Sequence, residues 1–307
     1  MTPIIETERL SRRYGRTEAV RDLTLSVPEG SIFAFVGPNG AGKTTTIKTV
    51  MNILEPTSGR ASILGVDSRR LGPGQLRQIG YVSENQEIPG WMTLSQLMAY
   101  LAPLYPTWDA AFAEQLRRQL DLPTDRKLRH FSRGMRMKAA LLSSLAYRPR
   151  LLVLDEPFAG LDALIRDEVI TGVLELSEQA SWSVFISSHD IHEVERLADW
   201  IGIINEGRLH LAEPVPALLG RFRQIEVTFP GGAALPAPVP SGWLAVESAG
   251  HVLRFVDPQC TGTDDEARIR AFLPGAGTVT VTPMSLEAIF ITLARGFRQD
   301  AAAGAGR

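Results

Sequence analysis

Gly37-Pro38-Asn39-Gly40-Ala41-Gly42-Lys43-Thr44-Thr45 is the stretch from which the fold can be read. It satisfies the phosphate-loop spacing G-x-x-x-x-G-K-[ST] at Gly37, Gly42, Lys43 and Thr44. Before it, SIFAFV (31–36) is a short β-branched and aromatic run of the kind that forms a buried strand. After it, KTTTIKTVMNIL (43–54) repeats Ile47, Val50, Met51 and Leu54 at helical spacing. Strand, glycine loop and helix are the context the spacing needs. Gly37, Gly40 and Gly42 let the backbone curl and approach an oxygen-rich ligand without a Cβ in the way. The loop N–H groups and the helix N-terminus, which carries roughly half a positive charge, point at a β-phosphate. Lys43 adds a full charge between β- and γ-phosphates, and the Thr44 hydroxyl can ligate Mg²⁺. A glycine-rich turn ahead of a lysine shares some of these letters, but not the strand before it and the helix after it.

LLVLDEP (151–157) supplies the acidic side of the same chemistry. Four apolar residues form a buried strand that delivers Asp155 and Glu156 to its carboxyl end, the edge where open α/β sheets hold ligands. Alternation sends the two carboxylates in different directions. Asp155 can reach Mg²⁺ through water, and Glu156 can orient and deprotonate a water aimed at the γ-phosphate. A strand ending in a charged turn is the plainer reading, and the phosphate loop upstream weighs against it. SVFISSHD (183–190) is another strand with His189 at its tip. His189, His192 and Glu193 match no usual zinc spacing. His189 is therefore expected as a hydrogen-bonding group at the phosphate edge, with His192 on a solvated helix face. In RHFSRGMRMKAALLSSLAYRP (129–149), Ser132 is an N-cap, and Met135, Ala139, Leu142 and Ala146 recur at helical spacing. Its first turn, with Gly134, Arg133 and Arg136, suits a second phosphate or simply a capped helix with a basic face; the residues alone leave both open.

The 307 residues exceed one average domain, and 44% hydrophobic content is ample for a core. A net charge of −2 gives no basic field for nucleic acid. One cysteine, Cys260, excludes an internal disulfide and suits a reducing compartment. No apolar run of about 18 residues is long enough to span a bilayer. The acidic start MTPIIETERL is unlike a signal peptide, so any membrane role is expected to come through a partner.

IIETERLSRRYG (4–15) is a strand-like start ending at Tyr14, whose ring can face a purine or pack in a turn. ASILG (61–65) and IGYVSE (79–84) read as strands. MTLSQLMAYLAPLY (92–105) and WDAAFAEQLRRQLDL (108–122) read as amphipathic helices broken near Pro103 and Pro106, opening a helical insert over about 90–147. WIGIINEGRLHLAEP (200–214) reads as a hairpin turning at Glu206 and Gly207 and closes a first domain, 1–216. The second domain, 217–298, is expected to be a small α+β unit. It has a helix in PALLGRFRQ (216–224) and strands in QIEVTF (224–229), HVLRFV (251–256) and TVTVTP (278–283). PGGAALPAPVPSG (230–242) is expected as a mobile loop, and SLEAIFITLARGF (285–297) as a last helix. Residues 299–307 are expected to be a disordered tail.

Taken together, these motifs resemble the ATP-binding cassette (ABC) ATPases over about residues 4–214. GPNGAGKTT is similar to the Walker A loop, and LLVLDEP to the Walker B strand. FSRGMRMK resembles the family signature LSGGQ, with Ser132 and Gly134 matching, Arg133 in place of the first glycine and Met135 in place of the glutamine. AGLDAL resembles the D-loop, with Asp162. His189 matches the switch histidine, and Tyr14 the aromatic that stacks on adenine. The family usually has a glutamine at the end of the strand IGYVSE, where it senses Mg²⁺ and the γ-phosphate; that position here is Glu84. A carboxylate can accept from Mg²⁺-bound water but cannot donate while ionised. The ending MSLEAIF (284–290) resembles the sLEdiF ending of bacterial ATPase subunits that serve separately encoded exporters, although any amphipathic helix has a similar pattern.

The resemblance implies an α/β P-loop NTPase fold of the ABC nucleotide-binding type with a helical subdomain. It implies ATP and Mg²⁺ as ligands, with ATP held by residues 37–45, Tyr14, Ser132, Arg133, Gly134, Met135 and Asp162. It implies Mg²⁺ near Thr44, Glu84 and Asp155, and hydrolysis by Glu156 and His189. A second copy of the chain, a separate membrane permease of an exporter, and a cytoplasmic position on the inner face of the membrane follow as expected partners and place. Soluble ABC ATPases of the ribosome carry two cassettes per chain, and those of DNA a long coiled coil; neither feature is in this sequence. A poorly hydrolysing nucleotide sensor is a further alternative, motivated by Glu84 alone.

Overall fold

The structure is a computed structural model describing residues 2–84, 86–179, 182–231, 239–240, 242–260, 262 and 264–305, with the side chains of 175–179 and 298–305 left out. It divides into two compact units, Met1–Ala212 and Glu213–Arg307, where the sequence led us to expect a boundary after residue 216.

The first unit opens with β1 (Pro3–Tyr14) and β2 (Thr17–Pro28), an antiparallel hairpin with alternating buried residues along β2. β3 (Ile32–Val36) follows and is buried throughout. The phosphate loop then leads into α1 (Lys43–Val50). β4 (Ser58–Ile63) returns to pair with β1, and β5 (Val66–Asp67) extends that sheet to the order β2-β1-β4-β5. A single turn, α2 (Pro73–Leu76), precedes β6 (Ile79–Ser83).

The helical insert comprises α3 (Leu94–Leu101), α4 (Ala110–Gln119) and α5 (Arg133–Leu145). Each begins at a side-chain cap: Thr93 with Gln96 in a reciprocal capping box, Asp109 accepting from Phe112 N, and Ser132 accepting from Met135 N. The chain re-enters the sheet as β7 (Leu151–Asp155), crosses by α6 (Ala163–Gln179) to β8 (Ser183–Ser188), and continues through the short α7 (Ile191–Val194). The hairpin β9 (Trp200–Asn205) and β10 (Arg208–Pro214) completes a six-stranded sheet, β10-β9-β3-β8-β7-β6. Its β6, β7, β8, β3 and β9 run parallel. Parallel strands covered on both faces read as unbroken apolar runs, which is how β3, β7 and β8 read here.

α1 packs against strands of both sheets. The core between them gathers Phe33, Phe35, Ile47, Val50, Ile63, Phe185 and Ile204. Phe33 and Phe35 lie 5.7 and 5.5 Å from the Phe185 ring. Because β3, β7 and β8 run the same way, the phosphate loop, Asp155 and His189 leave the sheet at one edge.

The second unit runs α8 (Val215–Arg221), β11 (Arg223–Thr228), β12 (Leu244–Ala249), β13 (Val252–Asp257), α9 (Asp265–Phe272), β14 (Val279–Pro283) and α10 (Leu286–Ala305). Its antiparallel sheet has the order β12-β13-β11-β14 over a core that includes Ile225, Val227, Leu253, Phe255 and Ile269. Trp243 stacks on Phe255 with centroids 3.7 Å apart. β12 and α9 were not anticipated from the sequence. The expected mobile loop 230–242 falls largely outside the described residues. α10 runs through Ala305, into the stretch expected as a disordered tail, where the alanine run favours helix, and 306–307 lie outside the described residues. Among the described residues no helix is long and apolar enough to cross a membrane.

Candidate functional site

The phosphate loop can take its shape only with glycine at two points. A Cβ on Gly37 would lie 2.1 Å from the Ile204 carbonyl oxygen. Gly42 has φ of 106°, and a Cβ there would lie 2.4 Å from the Ala19 carbonyl oxygen. The loop is tied to its neighbours by Gly37 N donating to Ser188 O at 3.2 Å and Gly207 N donating to Ala41 O at 2.9 Å. Pro38, Asn39 and Gly40 form its exposed crest, Ala41 is buried beneath it, and Thr45 is half-buried in the first turn of α1.

Lys43 is buried at 5% exposure and donates to the carbonyls of Gly37 at 2.6 Å and Pro38 at 3.1 Å. It also meets the Glu156 carboxylate, Nζ to Oε1, at 3.0 Å. Glu156 follows β7 with φ of 52°, a left-handed backbone in which few side chains settle. That turn separates it from Asp155 and brings its second oxygen, Oε2, to 2.7 Å from Nδ1 of His189. The Glu156 carboxylate is thus held from both sides, by Lys43 and by the histidine.

Thr44 Oγ1 donates to Asp155 Oδ1 at 3.0 Å, and Ser187 Oγ donates to the same oxygen at 2.8 Å. Burial pushes the Asp155 carboxyl above its ordinary value, against the two hydroxyl hydrogen bonds that favour the charged form. A hydroxyl and a carboxylate at this separation are the hard oxygen donors Mg²⁺ takes, with most of its shell left to water and phosphate. Ser187 was not anticipated. A serine in an apolar strand carries no signal until the sheet register sets it beside Asp155, where it also accepts from Glu156 N at 3.0 Å.

The remaining expected residues are placed as follows. Ser132 caps α5, its Oγ accepting from Met135 N at 3.2 Å, and Met135 is half-buried. Gly134 lies against α6, where a Cβ would come 2.5 Å from Ile165 Cγ2. Asp162 caps α6, accepting from Ile165 N at 3.0 Å. Tyr14 is 44% exposed, with the Arg12 guanidinium 4.8 Å from its ring centre. Glu84 pairs with Arg133 at 3.6 Å, and no hydrogen bond joins it to Thr44 or Asp155. Behind His189, Ser188 holds the buried Glu193 carboxylate, and Arg166 stands 3.6 Å from both Asp190 and Glu193. Burial raises the Glu193 carboxyl. Among the described residues no group of three or more His, Cys, Asp or Glu is placed to hold a metal ion. In the loop after Glu84, Trp91 is 67% exposed, and Met92 beside it is buried. Asn85 lies outside the described residues.

Residues 20–159 match the model of a family described as ABC transporter. The bacitracin transport ATP-binding protein BcrA of Bacillus licheniformis is 33% identical over 229 residues, covering 73% of this chain and 74% of that one. The sulfate/thiosulfate import ATP-binding protein CysA of Salmonella typhi is 29% identical, covering 68% of this chain and 60% of its own length. Among solved structures, an ATP-binding subunit of an ABC transporter superposes with a TM-score of 0.63 at 28% identity, over 70% of this chain and 91% of that one.

Proposed function

Because the chain belongs to the ATP-hydrolysing subunits of ABC transporters, we propose that it works as one half of an ATP-clamped pair, and that the pair drives a separate membrane permease of an exporter. The observation that carries the reading is the convergence of Lys43, Glu156 and His189 beside Thr44 and Asp155 at one sheet edge. ATP phosphates lie along the loop and the N-terminus of α1, where free N–H groups face them. Thr44 and Asp155 would hold Mg²⁺, which supplies charge neutralisation for the β- and γ-phosphates.

Lys43 then exchanges the Glu156 carboxylate for phosphate oxygens. This exchange frees the base: one oxygen of Glu156 loses its counter-charge while His189 still holds the other. Glu156 takes a proton from water as the water oxygen bonds to the γ-phosphorus, and the bond to ADP breaks. A chain without nucleotide keeps its base neutralised by its own lysine. Ser132, Gly134, Met135 and Asp162 stand at helix starts away from Lys43, and we assign them to the ATP of a second copy. Tyr14 is assigned to the adenine.

Export is favoured by the ending at 284–290, whose Leu286 and Ile289 are buried as an amphipathic helix requires. The relatives include one named for import, so the direction rests on that ending. The place that follows is the cytoplasmic face of the membrane, reached through the permease. The test is ATP turnover by the purified chain. It should require Mg²⁺ and rise with protein concentration as dimers form, and Lys43→Ala should abolish both nucleotide binding and turnover. Unchanged affinity in Lys43→Ala, or turnover independent of protein concentration, would sink the assignment.

A further inference from the structure

Two of the positions at which this chain departs from the general family pattern meet in space. Arg133 stands where the signature has a glycine, and Glu84 where the strand-end loop has a glutamine. Their charged groups lie 3.6 Å apart, with side chains 50% and 43% exposed. Neither half of this pair exists in a chain that has glycine and glutamine there.

The guanidinium has a prepared seat. A Cβ on Gly160 would lie 2.4 Å from Arg133 Nη1 and 2.7 Å from its Cζ, so the group occupies space that a residue without a side chain leaves open. Gly160 has φ of +67°, a conformation that itself favours glycine. Arg133 therefore bridges the start of α5, the loop after β6 and the segment leading to Asp162. The cleft between α5 and the β6 loop, of about 360 Å³, places Glu84 and Glu87 on one wall and Arg133 and Arg136 on the other. The charge complementarity is thus a property of both walls and not of one pair.

We propose that Glu84 is a positioning residue for Arg133. In the single chain it parks the guanidinium over Gly160. In the ATP-bound pair the guanidinium must leave Glu84 to reach the phosphates held by the other copy. Pairing of two chains is then a charge exchange, carboxylate for phosphate, made twice in a symmetric dimer. The release of Glu84 frees the β6 loop at the same moment that the phosphate is engaged. This inference rests on the two-chain reading above.

The exchange is weak enough to be reversible. An exposed ion pair shifts an equilibrium by about two- to fivefold, so releasing two pairs costs on the order of tenfold in dimer affinity. The experiment uses the full chain carrying Glu156→Gln, titrated in protein concentration with ATP and Mg²⁺ and read by light scattering. Glu84→Gln should tighten the dimer by on the order of tenfold, because the competitor for Arg133 is gone. Arg133→Ala should weaken it, and Arg133→Lys should recover part of the loss. In the Arg133→Ala background, Glu84→Gln should change nothing. If Glu84→Gln weakens the dimer, or acts equally with and without Arg133, then Glu84 acts on its own and the inference fails while the dimer reading stands. If the Glu156→Gln reference stays monomeric with ATP, the dimer reading itself fails and takes this inference with it. Both side chains are half in solvent, so neither substitution threatens folding.

Discussion

Replacing Glu156 by glutamine tests the chemistry and the resting state of the site together. The carboxylate is buried, 3.0 Å from Lys43 Nζ and 2.7 Å from His189 Nδ1. As a general base it is worth on the order of 10²–10⁴-fold in turnover. At about 1.4 kcal/mol per decade, that is about 3–5 kcal/mol of barrier. A second effect follows from the lysine. Breaking a buried ion pair by removing one partner typically costs about 3–5 kcal/mol. Here Lys43 keeps the carbonyls of Gly37 and Pro38, and the glutamine oxygen can still accept, so we expect about 1–2 kcal/mol. That cost falls only on the nucleotide-free chain, because bound phosphate supplies Lys43 with a new partner. A non-hydrolysable ATP analogue should therefore bind Glu156→Gln about 5–30-fold more tightly than the parent, measured by calorimetry. Turnover should meanwhile fall by at least two decades. Turnover within tenfold of the parent would place the base elsewhere. Weaker binding of the analogue would refute the claim that Lys43 must leave Glu156 to take phosphate.

Three other outcomes can be measured on the same protein or its complex. Ser187→Ala removes a hydroxyl that serves both Asp155 and Glu156 N; it should cost about 1–3 kcal/mol of stability and lower turnover, and an unchanged melting temperature would show the pair is satisfied without it. Burial holds the Glu193 carboxyl above its ordinary value, so the native chain binds that proton more tightly than the unfolded one. Its contribution is full below the ordinary glutamate value and is lost as pH rises through the raised one, so Glu193→Gln should gain on the parent in melting temperature as pH rises from below the ordinary glutamate value through the raised one; a gap independent of pH would show otherwise. An aromatic ring 67% exposed suits a partner contact; if the proposed permease docks on Trp91, Trp91→Ala should leave folding and basal turnover intact yet weaken copurification more than tenfold, for the roughly 2–4 kcal/mol of a buried aromatic anchor, and loss of basal turnover would place that contact elsewhere.

What could be read in the sequence was read where chemistry and local geometry coincide. Lys43, Thr44, Asp155 and Glu156 sit at the ends of strands whose apolar runs are unmistakable, so their convergence follows from the strand order of a parallel sheet. Ser187 and Glu193 are as much part of the site's electrostatics, yet Ser187 is a small polar residue in a mostly apolar strand and Glu193 is one of several charged residues around a short helix. Such a residue becomes informative only when the register assigns its neighbour. Glu84 and Arg133 were legible as departures from a pattern, one expected near Mg²⁺ and the other near phosphate. That they pair with each other depends on the helical insert folding back over the sheet edge, which no local spacing encodes.

The second unit was harder to read for a different reason. β12 has mostly exposed residues, with only Leu244 and Val246 half-buried, so its sequence lacks the alternation that marks a strand with one covered face. It is held as an edge strand by β13 and by Trp243, which stacks on Phe255 from just before its start. α9 turns only Ile269 into the core, with Asp265 buried beside it and ion-paired to Arg268. Arg268 in turn reaches the buried Asp257 at the end of β13 at 2.6 Å. A charged residue that is buried by pairing reads in the sequence as a surface residue, and this erases the periodicity from which a helix would be recognised. The first unit is legible because its buried Lys43, Asp155 and Glu156 are gathered at one functional edge. In the second, charged residues tie strand to helix inside the fold, and the same residue types stop being punctuation.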